Sequence, residues 1–368
     1  MRLSVIVPVH DGGGTLQECL AGLGRSTRPP DEVIVVDDAS TDDSAGIAQR
    51  HGATLVCGTW EACRTCGAYG TCGTCGTCGT CGTRGAAWAR NRGAERARGD
   101  VLVFVDADVV VHEDAIARML AVFDEVAAPQ ALFGSYDDDP RHVDVPSRFK
   151  NLLHHHVHQH GRRAASSFWS GCGAIRRDTF LAVGGFDERY AGSSIEDIEL
   201  GVRLCRAGME IRLCPEIQAT HLKRWTLLSL WRTDIFGRAV PWTRLVLREG
   251  QLPDDLNLGW RSRASAGVTW AAFLLGAGAL FAPAGPLTGT ACAGVAAALG
   301  VSTMLNAGLY RFFLRRGGAR FAAGAWLLHQ AYLLYGSAVF AALVLGRALR
   351  LTAPAPVALT DARGASLE

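Results

Sequence analysis

Net charge is nearly missing from this sequence: 37 Lys and Arg stand against 35 Asp and Glu, leaving +2. A partner held by bulk electrostatics, nucleic acid above all, is therefore not expected. A charged lead with a cleavage site is also missing ahead of the apolar stretch Leu3–Val9, so no secretory signal peptide is expected. There are 12 cysteines but no disulfide framework, because seven crowd into Cys57–Cys81 and five are scattered singly. The scattered ones read as reduced core residues of a cytosolic face. Apolar residues make up 49% of the chain, and their excess lies near the C-terminus.

What is present centres on Val101–Asp108. Five apolar residues run without interruption, as in a strand buried on both faces of a parallel sheet. Asp106 and Asp108 follow at its carboxyl end, where open α/β sheets bind ligands. At i and i+2 of an extended chain they point the same way. Two hard anionic oxygens on one side suit a divalent metal with bound phosphates, or else simply end the strand in a turn.

The preceding residues alternate strand and helix, which predicts a parallel sheet. Leu3–Val9 is a buried strand stopped by Pro8. The Gly-rich turn Asp11–Thr15 follows, with Thr15 as helix cap and Leu16, Leu20 and Leu23 on one helical face. Val33–Val36 is a second strand, running into Asp37-Asp38 and a Ser/Thr/Asp stretch that caps a helix near Ala45–His51. Ala53–Val56 reads as a short third strand. From Cys72 to Thr83, Cys-Gly-Thr then repeats with a period of three. The pairs Cys63/Cys66 and Cys72/Cys75 have zinc-site spacing, but such monotony favours a flexible repeat. Gly85–Arg98 returns to a helix whose small residues permit close packing and whose Arg90 could reach a pyrophosphate.

Further along, Glu113–Val126 is an amphipathic helix and Asp137–Asp139 a solvated loop. Asn151–His160 carries five histidines, with His154/His158 and His156/His160 at metal-binding spacing. With no clear carboxylate partner, an exposed or acceptor-facing helix is expected. Ser170–Ile175, containing Gly171 and Gly173, is a glycine loop entering a strand, and Gly184–Asp187 is a turn. Ile195, Ile198, Val202 and Cys205 mark a helical face ending at Gly208. Glu196 and Asp197 therefore lie in that helix's first turn, either complementing its dipole or holding a general base. Ile211–Ala219 is a strand with His221 at its end.

In this order and spacing, Ser4-Val-Ile-Val-Pro-Val, Val35-Val-Asp-Asp-Ala-Ser-Thr-Asp, Ala89-Arg-Asn-Arg-Gly, Val105-Asp-Ala-Asp, Gly184-Gly-Phe-Asp-Glu and Glu196-Asp197 resemble the family 2 glycosyltransferases. The resemblance covers about residues 2–225 outside the Cys-rich tract. It implies an α/β class of GT-A type, a mostly parallel sheet with helices on both faces, binding a nucleotide-diphospho-sugar. It also implies roles. Asp38 resembles the residue that binds the nucleotide base, with Pro8 and His10 in the same pocket. Arg90, Asn91 and Asp106 fall on the nucleotide-sugar side. Asp106 and Asp108 form the D-x-D pair toward metal (Mg2+ or Mn2+), ribose and diphosphate, Asp108 being the direct ligand. Asp197, with Glu196, resembles the catalytic base. His221 sits where some relatives place a further metal ligand. Gly171, Gly173, Arg224 and Trp225 fall on the acceptor side. Arg224-Trp225 resembles part of the Gln-x-x-Arg-Trp of processive synthases, whose other residues are absent, so processivity is not expected.

The expected organisation is a catalytic domain over 1–225 interrupted by the 57–83 insertion, an interfacial amphipathic region over 226–263, membrane helices within 264–350 and a disordered tail over 351–368. Three apolar segments (about 264–282, 287–309 and 321–345) approach the roughly 20 residues a bilayer span needs. Arg311, Arg315, Arg316 and Arg320 form a loop between the second and third. The positive-inside rule puts that loop and the catalytic domain in the cytoplasm, at a bacterial-type inner membrane; Arg347 and Arg350 disfavour an external C-terminus. The expected reaction is inverting transfer from a UDP- or GDP-sugar to a lipid or cell-envelope glycan acceptor. The alternatives are a nucleotidyltransferase, which would need a lysine beside Asp11–Thr15, and a non-catalytic metal-binding membrane protein.

Overall fold

The computed structural model describes residues 1–57, 83–190, 194–250, 256, 259–281 and 285–349. The Cys-Gly-Thr tract and the expected disordered tail lie outside them.

Eight strands form one mixed sheet in the order β3-β2-β1-β4-β7-β6-β8-β5. They are β1 Leu3–Val9, β2 Glu32–Asp37, β3 Thr54–Cys57, β4 Val101–Val105, β5 Val109–Val111, β6 Ala131–Tyr136, β7 Cys172–Arg176 and β8 Ile211–His221. Strands β3, β2, β1 and β4 run parallel, whereas β7 pairs antiparallel with both β4 and β6. The parallel expectation thus holds for the first four strands, is interrupted at β7, and resumes where β6 pairs parallel with β8. Pro8 does not end β1; it sits opposite Val36 and the strand runs on to Val9.

The unbroken apolar run of β4 has a simple cause. Val101, Val103 and Val105 feed one core; Leu102 and Phe104 feed the other. The first core is closed by α1 (Gly13–Gly24), α2 (Ser44–Arg50) and, on its far side, α4 (Ala115–Phe123). The second is closed by α3 (Ala86–Arg96), α6 (Arg177–Ala182) and α7 (Glu196–Arg206), with Phe104 meeting Phe168, Phe180 and Phe186 edge-on or tilted. Helix α3 lies so close to β1 that a Cβ on Gly93 would come 2.4 Å from Ile6.

Several local expectations differ from the structure. Thr15 lies inside α1, not at its cap, because the helix starts two residues earlier behind Gly12. Asp137 is buried, accepting from His112 and Thr220, so it is not part of a solvated loop. The buried face of α7 runs through Leu200, Gly201 and Leu204, and Cys205 is exposed. The histidines belong to α5 (Val145–His160); His155 and His158 are buried, their Nδ1 atoms 2.7 and 3.0 Å from the carbonyls of Tyr136 and Gly134. That helix is packed onto β6, which explains why an exposed histidine face does not form.

The C-terminal part begins with α8 (Leu227–Arg232), a π-helical stretch Thr233–Ala239 and α9 (Val240–Glu249). Helices α10 (Trp260–Phe281), α11 (Pro286–Leu305) and α12 (Ala307–Ala348) follow, all long and apolar enough to cross a membrane. The expected arginine loop is instead helical. Arg311, Arg315, Arg316 and Arg320 lie on α12, broken only at Gly318, where φ is 74°. The break matters: 42 unbroken residues would reach roughly 63 Å, about twice a bilayer's hydrocarbon core. A third apolar core joins the two parts, with Phe149, Leu152 and Leu153 of α5 and Trp225 against Leu309, Phe313, Phe321 and Ala325 of α12.

Candidate active site

The carboxyl ends of β1, β2 and β4 lie side by side, so the residues leaving them share one rim. They line a cleft of about 790 Å³, whose lining includes Pro8, His10, Asp38, Arg90, Asp106 and Asp108. Glu196, Asp197, His221, Arg224 and Trp225 line the same cleft. Eleven expected residues, spread from Pro8 to Trp225, thus converge. Three do not. Asn91 is turned onto the Gly184–Asp187 turn, donating to the carbonyl of Phe186 at 2.9 Å and accepting its N–H at 2.8 Å. Gly171 and Gly173 lie beneath aromatic rings, where an added Cβ would meet Trp169 or Phe168 within 3 Å. Their small size serves the packing of those rings.

Asp38 is buried and accepts the backbone N–H of Arg84 at 3.0 Å and of Gly85 at 2.7 Å. The carboxylate thereby fixes the entry to α3. His10 leans on the same loop, its Nδ1 3.0 Å from the Asp38 carbonyl.

Asp106 and Asp108 are not in an extended chain. The backbone folds into a turn there, closed by the Val109 N–H on the Asp106 carbonyl at 3.0 Å. The turn gives the two carboxylates different partners. Asp106 takes Arg90 at 2.7 Å, while Asp108 lies 3.6 Å from His221 Nε2. Burial pushes the Asp108 carboxyl up, but the hydrogen bond and charge of His221, aided by Lys223, outweigh it and leave it below the ordinary carboxylate value. The His221 ring is stacked on Tyr136 at 4.4 Å, so its orientation is set from behind.

Arg90 is not free to reach a pyrophosphate. Its guanidinium, 4% exposed, bridges Asp106 and the 3%-exposed Glu196 at 2.7 and 2.8 Å. It therefore ties the end of β4 to the start of α7. Removing one member of a buried ionic set strands the others, a loss of about 3–5 kcal/mol. Arg90→Met is expected to lower the unfolding midpoint accordingly; an unchanged midpoint would show that the bridge carries no stability.

With Glu196 committed to Arg90 and to the Ser194 N–H, Asp197 is the carboxylate that faces the cleft with weaker ties. One oxygen accepts from Ser170 N and Oγ at 3.1 and 3.3 Å. Burial, reinforced by the neighbouring Glu196 charge, raises its carboxyl to about 6 despite Arg90. A carboxylate of that basicity is ionised at neutral pH yet accepts a proton more readily than an ordinary aspartate.

The cleft also holds groups that motif reasoning missed: Lys150 of α5, Trp169, and Arg238 of the π-helical stretch; His154 and His158, from the histidine tract, line it too. One signal was available. Lys150 and Lys223 are the only lysines among 37 basic residues, and both line the cleft. Lys150 pairs with buried Asp234, and burial draws its ammonium down to about 8 against that carboxylate's pull. Asp234 also accepts from Tyr335 of α12 at 2.7 Å. The buried indole N–H of Trp225 has no hydrogen-bond partner among the described residues.

For a metal, no group of three His, Cys, Asp or Glu side chains stands close enough to hold one among the described residues. Asp108 and His221 offer two donors on one side. This fits a divalent cation that completes its shell with diphosphate oxygens and water, as hard cations do with nucleotides.

Residues 2–235 match the family model described as glycosyltransferase like family 2. Among solved structures, a mannosyltransferase from Pyrobaculum calidifontis in complex with GDP-Man and Mn2+ is 20% identical, with a TM-score of 0.54, over 92% of this chain and 87% of that one. Glucosyl-3-phosphoglycerate synthase from Mycobacterium tuberculosis, in complex with Mn2+, UDP and glucosyl-3-phosphoglycerate, is 19% identical over 69% of this chain and 85% of that one, with a TM-score of 0.45. No curated protein matches the sequence.

Proposed function

The chain belongs to glycosyltransferase-like family 2, and on that premise we propose that it moves a sugar, with inversion, from a UDP- or GDP-linked donor to an acceptor presented at a membrane. The observation that carries this reading is the meeting of two unlike carboxylates in one cleft. Asp108 is held ionised beside His221, and Asp197 is raised toward neutrality beside Ser170.

Pro8, His10 and Asp38 offer the pocket for the nucleotide base. Asp108 and His221 would hold Mg2+ or Mn2+, as the Pyrobaculum protein's complex with Mn2+ suggests by analogy. Such a cation supplies charge for the leaving diphosphate. Asp106 orients Arg90 instead of meeting the donor directly. Asp197 takes the proton from the acceptor hydroxyl, with Glu196 and Arg90 keeping the start of α7 in place. Arg224 and Trp225 belong to the acceptor side, where the free indole N–H can donate to an incoming oxygen.

The membrane part of the proposal rests on α10–α12 and on the apolar side chains of the region before them. Leu228, Trp231 and Phe236 are exposed there, as is Trp260 at the start of α10, as in helices lying at an interface. We place the catalytic domain on the cytoplasmic side, because four arginines flank the break in α12. The family match favours sugar transfer over the nucleotidyltransferase and metal-binding alternatives.

The test is a panel of UDP- and GDP-sugars offered to the detergent-purified full chain with Mn2+, followed by membrane lipid extract as acceptor. Metal-dependent release of one nucleoside diphosphate, rising with the extract, is the expected result. No release from any donor would overturn the proposal.

A further inference from the structure

A second cavity, of about 220 Å³, lies away from the cleft, between the end of α5 and the first part of α12. His156 and His160 line it from α5; Arg311, Phe312 and Arg315 line it from α12, with Gly308. Each pair sits at i and i+4, so both helices turn two nitrogen-bearing side chains toward one space. The two imidazoles lie 4.1 Å apart by centroid, and His156 leans on Phe312 at 5.5 Å. Burial, with His160 and Arg315 nearby, holds His156 down at about 4, so its ring is neutral at pH 7.

The arginines of this segment divide sharply. Arg316 is paired with Asp138, and its carbonyl accepts from Arg148, so it is spent on docking to the catalytic domain. Neither Arg311 nor Arg315 has an acidic or hydrogen-bonded partner among the described residues. Two unpaired guanidiniums beside two imidazole rings form a concave, donor-rich site, and Arg is the side chain best matched to phosphate oxygens. The site's position selects the source of the phosphate. It lies just before the break at Gly318, on the segment leading into the apolar length of α12, and Leu314 beside it is half exposed. That is where headgroups meet a membrane helix.

We propose that this cavity binds the phosphodiester of an anionic membrane lipid, clamping α5 to α12. The proposal rests on α12 entering a membrane, not on any catalytic role. Since α5 also carries Lys150, His154 and His158 into the main cleft, such a lipid would steady one active-site wall.

The experiment is native mass spectrometry of the detergent-purified full chain, titrated with phosphatidylglycerol, phosphatidylcholine or inorganic phosphate. Wild type should hold phosphatidylglycerol at least about tenfold more tightly than phosphatidylcholine, as two surface arginines warrant. The double variant Arg311→Gln/Arg315→Gln should lose that preference. Arg320→Gln, on the same helix outside the cavity, should keep it. Millimolar inorganic phosphate should not displace the lipid. An unchanged preference in the double variant, equal loss in Arg320→Gln, or full displacement by phosphate would each overturn the assignment. A chain that leaves membranes without detergent would refute the membrane reading itself, while absent donor turnover would leave this test unaffected.

Discussion

Asp197→Asn is expected to lower sugar transfer by about 10²–10⁴-fold, the usual contribution of a general base, while the donor still binds. The amide keeps the shape and can still accept from Ser170, but it cannot take a proton. The comparison to make is turnover against nucleotide-sugar affinity by titration; a parallel loss of both would argue that Asp197 holds the donor. The pH profile gives a second reading. With its carboxyl raised to about 6, Asp197 is protonated below that pH, so the rate should climb through about 6 and level off above it. The same shift has the opposite sign for folding. A carboxyl raised in the folded state favours folding at low pH, and that benefit is lost as pH rises through about 6. The Asn variant should therefore be more stable than wild type at pH 8, a trade of stability for function.

Asp108→Ala is expected to abolish metal-dependent donor binding, by about 100-fold or more, since even residues that merely support a metal ligand cost 10–100-fold. Calorimetric titration of the nucleoside diphosphate with and without Mn2+ decides it. Wild type should show a large difference between the two conditions and the variant little. If the variant still binds tighter with Mn2+, the metal is held elsewhere. His221 should follow the same pattern more weakly, because its ring is kept in place by Tyr136 whether or not a ligand is present.

Much of this was written in the sequence because the relevant signals are local. The run Val101–Val105 announces a strand buried on both sides, and alternate residues do feed two cores. The acidic residues after β2 and β4 and at the start of α7 were identifiable by their place at the ends of elements. What could not be read was partnership. Arg90 looks like a free cation beside a phosphate site, yet it is spent on Asp106 and Glu196, the latter 106 residues away. Asn91 shares its motif but faces the other way, onto the turn at Phe186. The antiparallel β7 escaped for the same reason, since a strand's neighbour is decided by chain return and not by composition. The histidine-rich helix reads as exposed or acceptor-facing; His154 and His158 do line the cleft, while His155 and His158 are held by β6 carbonyls that spacing alone does not reveal.

Asp234 has a consequence for anyone who wishes to handle this protein. A single carboxylate is shared by Lys150, from the catalytic half, and Tyr335, deep in the last helix. Trimming the gene to obtain a freely dissolved enzyme would remove Tyr335 together with the apolar partners of Phe149 and Leu152. Such a fragment would present an oily scar beside its own reaction chamber, so the full chain is the one to purify.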